Sequence, residues 1–318
     1  MLKPDRKYFE SLSEKTNFQK DILEKVYRLA DLLRTIYDDE FLTGKLVIKG
    51  GTAINFIYFN MPRLSVDIDF NFVSVEQRED MLKSRENIDK ILTKIFTMNG
   101  YKMEKIKRYA LLQYNLKYTN TAGNIDRIKV EINFMERIPV FEIAEKKISI
   151  FDIPEFKVRT YRMEELFATK LRALLTRTAP RDMFDIYILL KSGLKLDERA
   201  LKKCFIFYVC LAQDFRKLDM ESIGRIDSLE IKKFLLPLME KGKRIDMDDI
   251  SKIVNEFAPS MLELNENEQK FIESFYEEKN ADLGLLFEEI RYNPQLKEHP
   301  MIGWRLKNMQ VHLFSSTK

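Results

Sequence analysis

Two acidic residues lie one position apart on a predicted strand, where their side chains could share a metal ion. Arg63 to Phe72 alternates polar and apolar residues, and Asp67 and Asp69 fall on the polar side. A strand rises about 3.3 Å per residue, so their backbones lie about 7 Å apart. Two carboxylates this close repel by roughly 2–3 kcal/mol at an effective dielectric near 20. The spacing favours either a cation between them or a strand face that is open to water.

A second predicted strand carries a third carboxylate. Arg127 to Phe134 repeats the alternation, with Glu131 on its polar side. If the two strands are neighbours, Glu131 joins Asp67 and Asp69 in an oxygen-rich site suited to Mg²⁺, with Mn²⁺ as an alternative. Two such ions can bind the attacking and leaving oxygens of a phosphoryl or nucleotidyl transfer. The structural alternative is a half-buried antiparallel sheet with a wet polar face.

A glycine pair precedes these strands. Gly50 and Gly51 follow the short apolar strand 46–48 and open a predicted helix that Thr52 caps. Backbone N–H groups at such a turn bind phosphate readily, and a side chain at either glycine would obstruct a close approach. The alternative is a plain turn that requires a positive φ. Together, the glycine turn and the two acid-bearing strands indicate a nucleotide site more strongly than either does alone.

The predicted elements divide the chain into an α+β half and a helical half. The first half has helices at 5–37 and 76–99, and strands at 46–48, 63–72, 101–107, 110–118 and 127–134. Nearly everything after residue 163 has helical periodicity. We therefore predict a domain with a mixed sheet over residues 1–158 and an all-helical domain over residues 159–318.

The helical half supplies a candidate cation. Lys170 lies at the edge of the apolar stripe of a predicted helix over 163–176. A lysine in this position either extends its ammonium group to water or reaches nucleotide phosphates across an interdomain cleft. Asp182 lies in the first turn of the next helix, where it suits a cap or an arginine partner. Asp185 lies one turn further along, beside apolar residues.

Composition and charge limit the class of protein. The two cysteines lie within the apolar stretch Cys204–Ala212, which predicts buried thiols in a reducing cytoplasm and no disulfide framework. That stretch is far shorter than the roughly 20 residues of a membrane-spanning helix, and the N-terminus lacks the apolar core of a signal peptide. The net charge is +4, but residues 260–300 carry ten acidic and four basic residues. The basic remainder suits either a polyanionic partner or an ordinary solvated surface.

Basic and aromatic residues also alternate between Tyr101 and Tyr118. Lys105, Lys107 and Arg108 lie near Tyr109 and Tyr114. Such a patch can follow a phosphate backbone and stack unpaired bases. Solvated strand faces with aromatic pairing explain the pattern equally well.

These motifs resemble a known family. Gly50-Gly51, Asp67-x-Asp69 and Glu131 are similar to the signature of the nucleotidyltransferase superfamily related to DNA polymerase beta. The fuller pattern resembles the AbiEii toxins of type IV toxin–antitoxin and abortive-infection systems, which include the MenT toxins. Its blocks are Lys49-Gly50-Gly51-Thr52-Ala53, Arg63-x-Ser65-x-Asp67-Ile68-Asp69-Phe70, Glu164-Glu165-Leu166-x-Ala168-x-Lys170-Leu171, Arg181-Asp182-x-x-Asp185-Ile186-Tyr187, and His299-Pro300 with Trp304. Ile54 and Val66 depart from the usual pattern, and both changes leave the polar positions intact.

The resemblance implies a polymerase beta-like fold, an NTP substrate and a set of site residues. The implied catalytic residues are Asp67, Asp69, Glu131, Lys170 and Asp185. Of these, Asp67, Asp69 and Glu131 would bind metal. The implied nucleotide-binding residues are Gly50, Gly51, Thr52, Arg63, Ser65 and Lys170. The implied reaction is attack on the NTP α-phosphate by an acceptor, with RNA such as the tRNA 3′ end expected and a cognate antitoxin as partner. Transfer to a protein or small molecule, or a non-catalytic nucleic-acid-binding module, are the alternatives.

Overall fold

The computed structural model describes residues 4–219 and 226–315, and side chains as far as residue 309. Within the described residues the chain forms two compact units. The first comprises the residues up to Arg137, Ile143–Thr160 and Lys232–Ile245, and the second comprises Ile138–Glu142, Tyr161–Ile231 and the residues from Asp246 onward. In this part of the chain no helix has the length and apolar character needed to cross a membrane.

The first unit is built on a seven-stranded sheet. Its elements are α1 (Arg6–Thr16), α2 (Lys20–Tyr37), α3 (Glu40–Lys45), β1 (Leu46–Lys49), α4 (Gly50–Ala53) with a π-helical turn (Ile54–Tyr58), β2 (Asp67–Phe72), α5 (Arg78–Met98), β3 (Lys102–Arg108), β4 (Leu111–Thr119), β5 (Ile125–Asn133), β6 (Ala144–Ile150) and β7 (Ile153–Thr160). The strand order is β3-β4-β5-β2-β1-β7-β6. β2 pairs with β5 and β1 with β7 in parallel, and the other pairs are antiparallel. The predicted mixed sheet is therefore confirmed.

Side-chain alternation gives the central strands one apolar face and one polar face. The buried side chains of β2, β4 and β5 include Ile68, Leu112 and Val130. Residues one position away, such as Asp69, Gln113 and Glu131, lie on the opposite face and are only half-buried. This alternation follows from the two-residue period of a strand. It places most of the polar residues of these three strands, among them Asp69, Gln113 and Glu131, on one side of the sheet.

The second unit is helical, as predicted. Its elements are α6 (Met163–Arg177), α7 (Pro180–Lys191), α8 (Glu198–Ala212), a 3₁₀ turn (Phe215–Lys217), α9 (Ser228–Phe234, at the border with the first unit), α10 (Met247–Phe257), α11 (Glu266–Glu273) with a π-helical turn (Ser274–Glu278), α12 (Leu283–Phe287), a 3₁₀ turn (Pro294–Glu298) and α13 (Pro300–Ser315). The nearly fully buried α8 packs against α6. Cys204 and Cys210 are both buried and free, which confirms the predicted burial of the two thiols. Burial raises the pKa of the Cys210 thiol to about 12.

Three local differences separate the sequence prediction from the structure. The helix predicted over 5–37 is interrupted at Asn17, which ends α1 in the left-handed region with φ of 60°. β2 begins at Asp67 and not at residue 63. The hairpin of β6 and β7 was not predicted, and the predicted domain boundary after residue 158 lies two residues before the end of β7.

Candidate active site

The glycine turn after β1 has no room for side chains. Gly50 has a φ of +69°, and a Cβ atom there would lie 2.6 Å from Oδ2 of Asp69. A Cβ atom on Gly51 would lie 2.7 Å from Nη2 of Arg63 and 3.2 Å from Oγ of Ser65. A positive φ at this glycine is what the alternative interpretation, a plain turn, predicted from the sequence. The short distance from this Cβ position to Asp69 shows that the turn lies directly beside the acidic strand.

Thr52, Arg63 and Ser65 support this turn from inside the unit. The Thr52 hydroxyl lies 2.9 Å from Oγ of Ser65 and within hydrogen-bond distance of the Asp67 carbonyl oxygen. The guanidinium of Arg63 is only 2% exposed and donates to the Leu64 carbonyl oxygen at 2.9 Å. These contacts hold the turn against the start of β2. The predicted contacts of the three side chains with a nucleotide stay predictions.

The strand register brings the predicted carboxylates onto neighbouring positions. β2 and β5 are adjacent and parallel, with Asp69 opposite Glu131 and Asp67 opposite Lys129. Neighbouring strands lie about 4.8 Å apart, so these side chains are within reach of one another. The two acid-bearing strands are therefore neighbours, which is the condition under which Glu131 joins Asp67 and Asp69, and they pair in parallel.

The three carboxylates do not converge on one point. Among the residues that the structure describes, no group of three Asp, Glu, His or Cys side chains is placed to hold a metal ion. The ammonium of Lys129 instead lies 2.7 Å from Oε2 of Glu131. Lys129 and Glu131 lie two positions apart on β5 and therefore share its polar face.

Electrostatics explain why Lys129 stays charged here. Burial by itself would lower the pKa of Lys129, but the hydrogen bond with Glu131 and the charges of Asp67, Asp69 and Glu131 outweigh it and raise the pKa. Repulsion among the acidic side chains is thus relieved by a lysine from the same sheet face.

The candidate cation of the second unit lies in a buried ion cluster. Nζ of Lys170 is 2.8 Å from Oδ1 of Asp182 and 3.0 Å from Oδ2 of Asp185. The Lys170 side chain is 7% exposed and each aspartate 2%. Nε of Arg177 lies 2.6 Å from Oδ2 of Asp182. The interpretation of Lys170 as a lysine that extends to water is therefore wrong.

Asp182 is an arginine partner, as its sequence position suggested, and the catalytic role predicted for Asp185 stays a prediction. Burial by itself would raise the pKa of the Asp182 carboxyl, but the charges of Lys170 and Arg177 hold it well below its usual value. Asp182 is therefore ionised at neutral pH, and the Lys170 ammonium lies between it and the Asp185 carboxyl group.

The basic patch is less available than the sequence suggested. Lys105 and Lys107 both pair with Asp89. Tyr114 is fully buried, and its hydroxyl donates to Oδ1 of Asp89 at 2.7 Å. Its predicted stacking on a base is wrong, because the even positions of β4 face the core. Tyr109 remains half exposed.

Comparisons with known proteins agree with these motifs. A family model described as nucleotidyl transferase AbiEii toxin, type IV TA system, matches residues 31–275. The search of curated proteins finds no significant match. The fold is similar to MenT4, a nucleotidyltransferase toxin from Mycobacterium tuberculosis H37Rv, with a TM-score of 0.64 at 14% identity over 91% of this chain and 100% of that one. An antigenic nucleotidyltransferase-like protein from Paracoccidioides brasiliensis aligns with a TM-score of 0.38 at 15% identity, over 58% of this chain and 88% of that one. The family match spans most of the sequence and includes every predicted site residue, and this chain therefore belongs to the AbiEii nucleotidyltransferase toxins of type IV toxin–antitoxin systems.

Proposed function

We propose that this chain transfers a nucleoside monophosphate from an NTP to an RNA acceptor such as the 3′ end of tRNA. Family membership implies the NTP substrate and an antitoxin partner. The observation that carries the proposal is the polar face of β2 and β5, where Asp67, Asp69 and Glu131 lie on paired strands. The glycine turn borders this face, and a Cβ on Gly50 would collide with Asp69.

The donor set fits a divalent cation. Asp67, Asp69 and Glu131 offer only oxygen atoms, which are the ligands that Mg²⁺ and Mn²⁺ prefer. No hydrogen-bond donor or cation contacts the Asp69 carboxylate among the described residues, so its oxygens are available. Glu131 would have to exchange its contact with Lys129 for the metal. A metal bound here would neutralise the phosphate charge and polarise the α-phosphorus for attack.

The remaining site residues position the NTP. The glycine turn offers backbone N–H groups without side chains, which suits the triphosphate. We assign Lys170 to the NTP phosphates, with Asp182 and Asp185 fixing its ammonium group. Nucleotidyl transfer depends chiefly on such positioning and on charge neutralisation.

The test uses purified protein with each NTP labelled at the α-phosphate and total cellular RNA. The expected product is labelled RNA, and its formation should require Mg²⁺ or Mn²⁺ and be blocked by EDTA. Asp67→Asn should abolish labelling. Label that appears on protein instead of RNA would reject the RNA acceptor, and equal labelling by Asp67→Asn would reject the site.

A further inference from the structure

A cavity of about 400 Å³ opens beside Asp67 within the first unit. The lining residues that matter here are Lys25, Asp67, Gln113, Asn115, Arg127 and Lys129. Its volume is in the range of cavities that hold a small ligand. Gln113 and Asn115 come from β4, and Arg127 and Lys129 from β5, so the cavity lies over the polar face of these two strands.

The cavity and the glycine turn lie on opposite sides of the acidic strand. The strand order β4-β5-β2-β1 places β4 and β5 on one side of β2, and places β1, which leads into the glycine turn, on the other. In-line transfer requires the attacking and leaving oxygens to lie on opposite sides of the α-phosphorus. If the triphosphate occupies the glycine turn, pyrophosphate leaves on the β1 side. The acceptor must then enter from the side of the cavity.

The charges of the cavity favour an anionic acceptor. Three cations face one carboxylate, and two of the cations are already paired: Lys25 with Asp126 at 2.7 Å and Lys129 with Glu131 at 2.7 Å. Arg127 has no carboxylate partner among the described residues, and its side chain is exposed. A guanidinium group presents several N–H donors in the geometry that matches phosphate oxygens. This arrangement suits the phosphate of a nucleic acid better than the side chain of a protein acceptor.

Two amides complete the lining. Nε2 of Gln113 lies 3.3 Å from Oδ1 of Asn115, so the pair forms a continuous polar surface on β4. An amide side chain both donates and accepts hydrogen bonds, as recognition of the edge of an unpaired base requires. Neither residue carries charge, so they would contribute to the choice of base and little to overall affinity.

We propose that this cavity holds the terminal nucleotide of the RNA acceptor, with Arg127 binding its phosphate and Gln113 and Asn115 reading its base. The inference rests on the proposed function. In the reaction the terminal hydroxyl oxygen bonds to the α-phosphorus, and the bond from the α-phosphorus to the bridging oxygen breaks. Pyrophosphate leaves with that electron pair, and the hydroxyl proton passes to solvent. The RNA gains one nucleotide.

The experiment compares Arg127→Gln with Lys146→Gln. Lys146 is an exposed lysine on β6, four strands and about 19 Å from β5 across the sheet, so its loss removes the same charge elsewhere. Initial rates of transfer to total cellular RNA give the KM for RNA, and equilibrium binding of labelled NTP gives the NTP affinity. Arg127→Gln should raise the KM for RNA about tenfold. It should also reduce the slope of log affinity for RNA against log salt concentration by about the contribution of one phosphate contact. NTP affinity should stay within twofold for both variants, and Lys146→Gln should match wild type.

Two further measurements distinguish a wrong cavity assignment from a wrong proposed function. Periodate-oxidised RNA, which lacks the terminal diol, should accept no nucleotide from wild type. Gln113→Ala with Asn115→Ala should change which RNAs in the mixture are labelled, with unaltered NTP affinity. If wild type labels RNA but Arg127→Gln and the double variant behave as wild type, the cavity assignment is wrong and the proposed function stands. If wild type labels no RNA, both are wrong.

Discussion

Replacing Lys170 with Met separates a structural role of the buried ion cluster from its proposed role in NTP binding. The substitution removes the ammonium that lies 2.8 Å from Asp182 and 3.0 Å from Asp185 and keeps an apolar stem of similar length. Asp182 retains its contact with Arg177 at 2.6 Å.

The expected loss of stability is large. At 3 Å and an effective dielectric near 20, each contact has a gross Coulomb energy of about 5–6 kcal/mol. The desolvation of a buried ammonium offsets much of this gain. Breaking a buried pair from one side usually costs about 3–5 kcal/mol. We therefore expect Lys170→Met to lower the free energy of unfolding of the second unit by about that amount.

Lys203 offers the matched control. Its side chain is 7% exposed and lies 3.4 Å from Glu268 in the same unit. Glu268 also pairs with Lys202 at 3.2 Å and takes part in a helix capping box. Lys203→Met therefore leaves the carboxylate with a cation, and we expect a loss of about 1–2 kcal/mol by comparison with charged hydrogen bonds.

Urea unfolding measures these losses locally. Trp304 is the single tryptophan of the chain and lies half-exposed on α13 in the second unit, so its fluorescence reports that unit. Transfer is then assayed at a temperature where each variant is folded. Lys170→Met should lose at least 100-fold in NTP transfer and Lys203→Met none. Lys170→Arg should recover only part, because a planar guanidinium does not replace a point charge. A folded Lys170→Met with normal transfer would refute the phosphate role, and an unchanged urea midpoint would refute the energetic reasoning.

Three other variants test the first unit. Gly50→Ala should abolish transfer and lower the free energy of unfolding by about 1–2 kcal/mol, because it combines a φ of +69° with a contact of 2.6 Å between the new Cβ and Asp69. The control is Gly242→Ala, where φ is +71° and nothing lies within 4 Å of the Cβ; it should show the backbone strain alone and keep its activity. Thermal melts and transfer rates of the two variants measure this difference. Asp67→Asn and Asp69→Asn should each abolish transfer while the melting temperature in EDTA stays the same or rises, since each removes a like charge; a large fall would mean that the carboxylate is structural. Burial opposes the ionisation of Asp89, but hydrogen bonds from Lys105, Lys107 and Tyr114 lower its pKa to about 2, so it contributes stability above about pH 4 that is lost as the pH falls to 2. Since Lys107 is half exposed, that contribution to the free energy of unfolding should be about 1–2 kcal/mol. Asp89→Asn should lack this pH-dependent part. Parallel profiles of unfolding free energy against pH for wild type and Asp89→Asn would contradict the assignment.

The local chemistry of the site could be predicted from the sequence because it depends on short spacings. The alternation around Asp67 and Asp69 fixes their shared face, and the glycine pair fixes a turn with a positive φ. The same logic placed Glu131 on a polar face. The sequence pattern did not determine whether the two acid-bearing strands are neighbours; the structure shows that β2 and β5 pair in parallel.

Long-range pairing limited the remaining predictions. Lys129 lies opposite Asp67 only because of the parallel register of β2 and β5, which no local pattern specifies, whereas Lys129 and Glu131 share one face of the same strand. The cavity beside Asp67 likewise depends on β4 lying next to β5. Tyr114 was assigned to a surface patch because its neighbours are basic, but alternation along β4 buries it.

The hairpin of β6 and β7 contains Pro154, and proline cannot donate a hydrogen bond within a central strand. Pro154 is the second residue of β7, close to the start of the strand, where proline is tolerated. The alternation of Phe156 and Val158 with charged neighbours is the signal that would have extended the sheet to residue 160.

The two lysines that contact site carboxylates differ in how firmly they are held. Lys170 is almost fully buried between two aspartates, so moving it would break two buried ion pairs. Lys129 is about one-third exposed and contacts one glutamate at 2.7 Å. An exposed pair of this kind is worth about 1 kcal/mol or less, which a divalent cation readily exceeds. We therefore expect Lys170 to keep its place through the reaction and Lys129 to release Glu131 when metal binds. Lys129→Met should then bind Mn²⁺ more tightly than wild type by direct titration without NTP, and a weaker affinity would show that Lys129 supports the metal site.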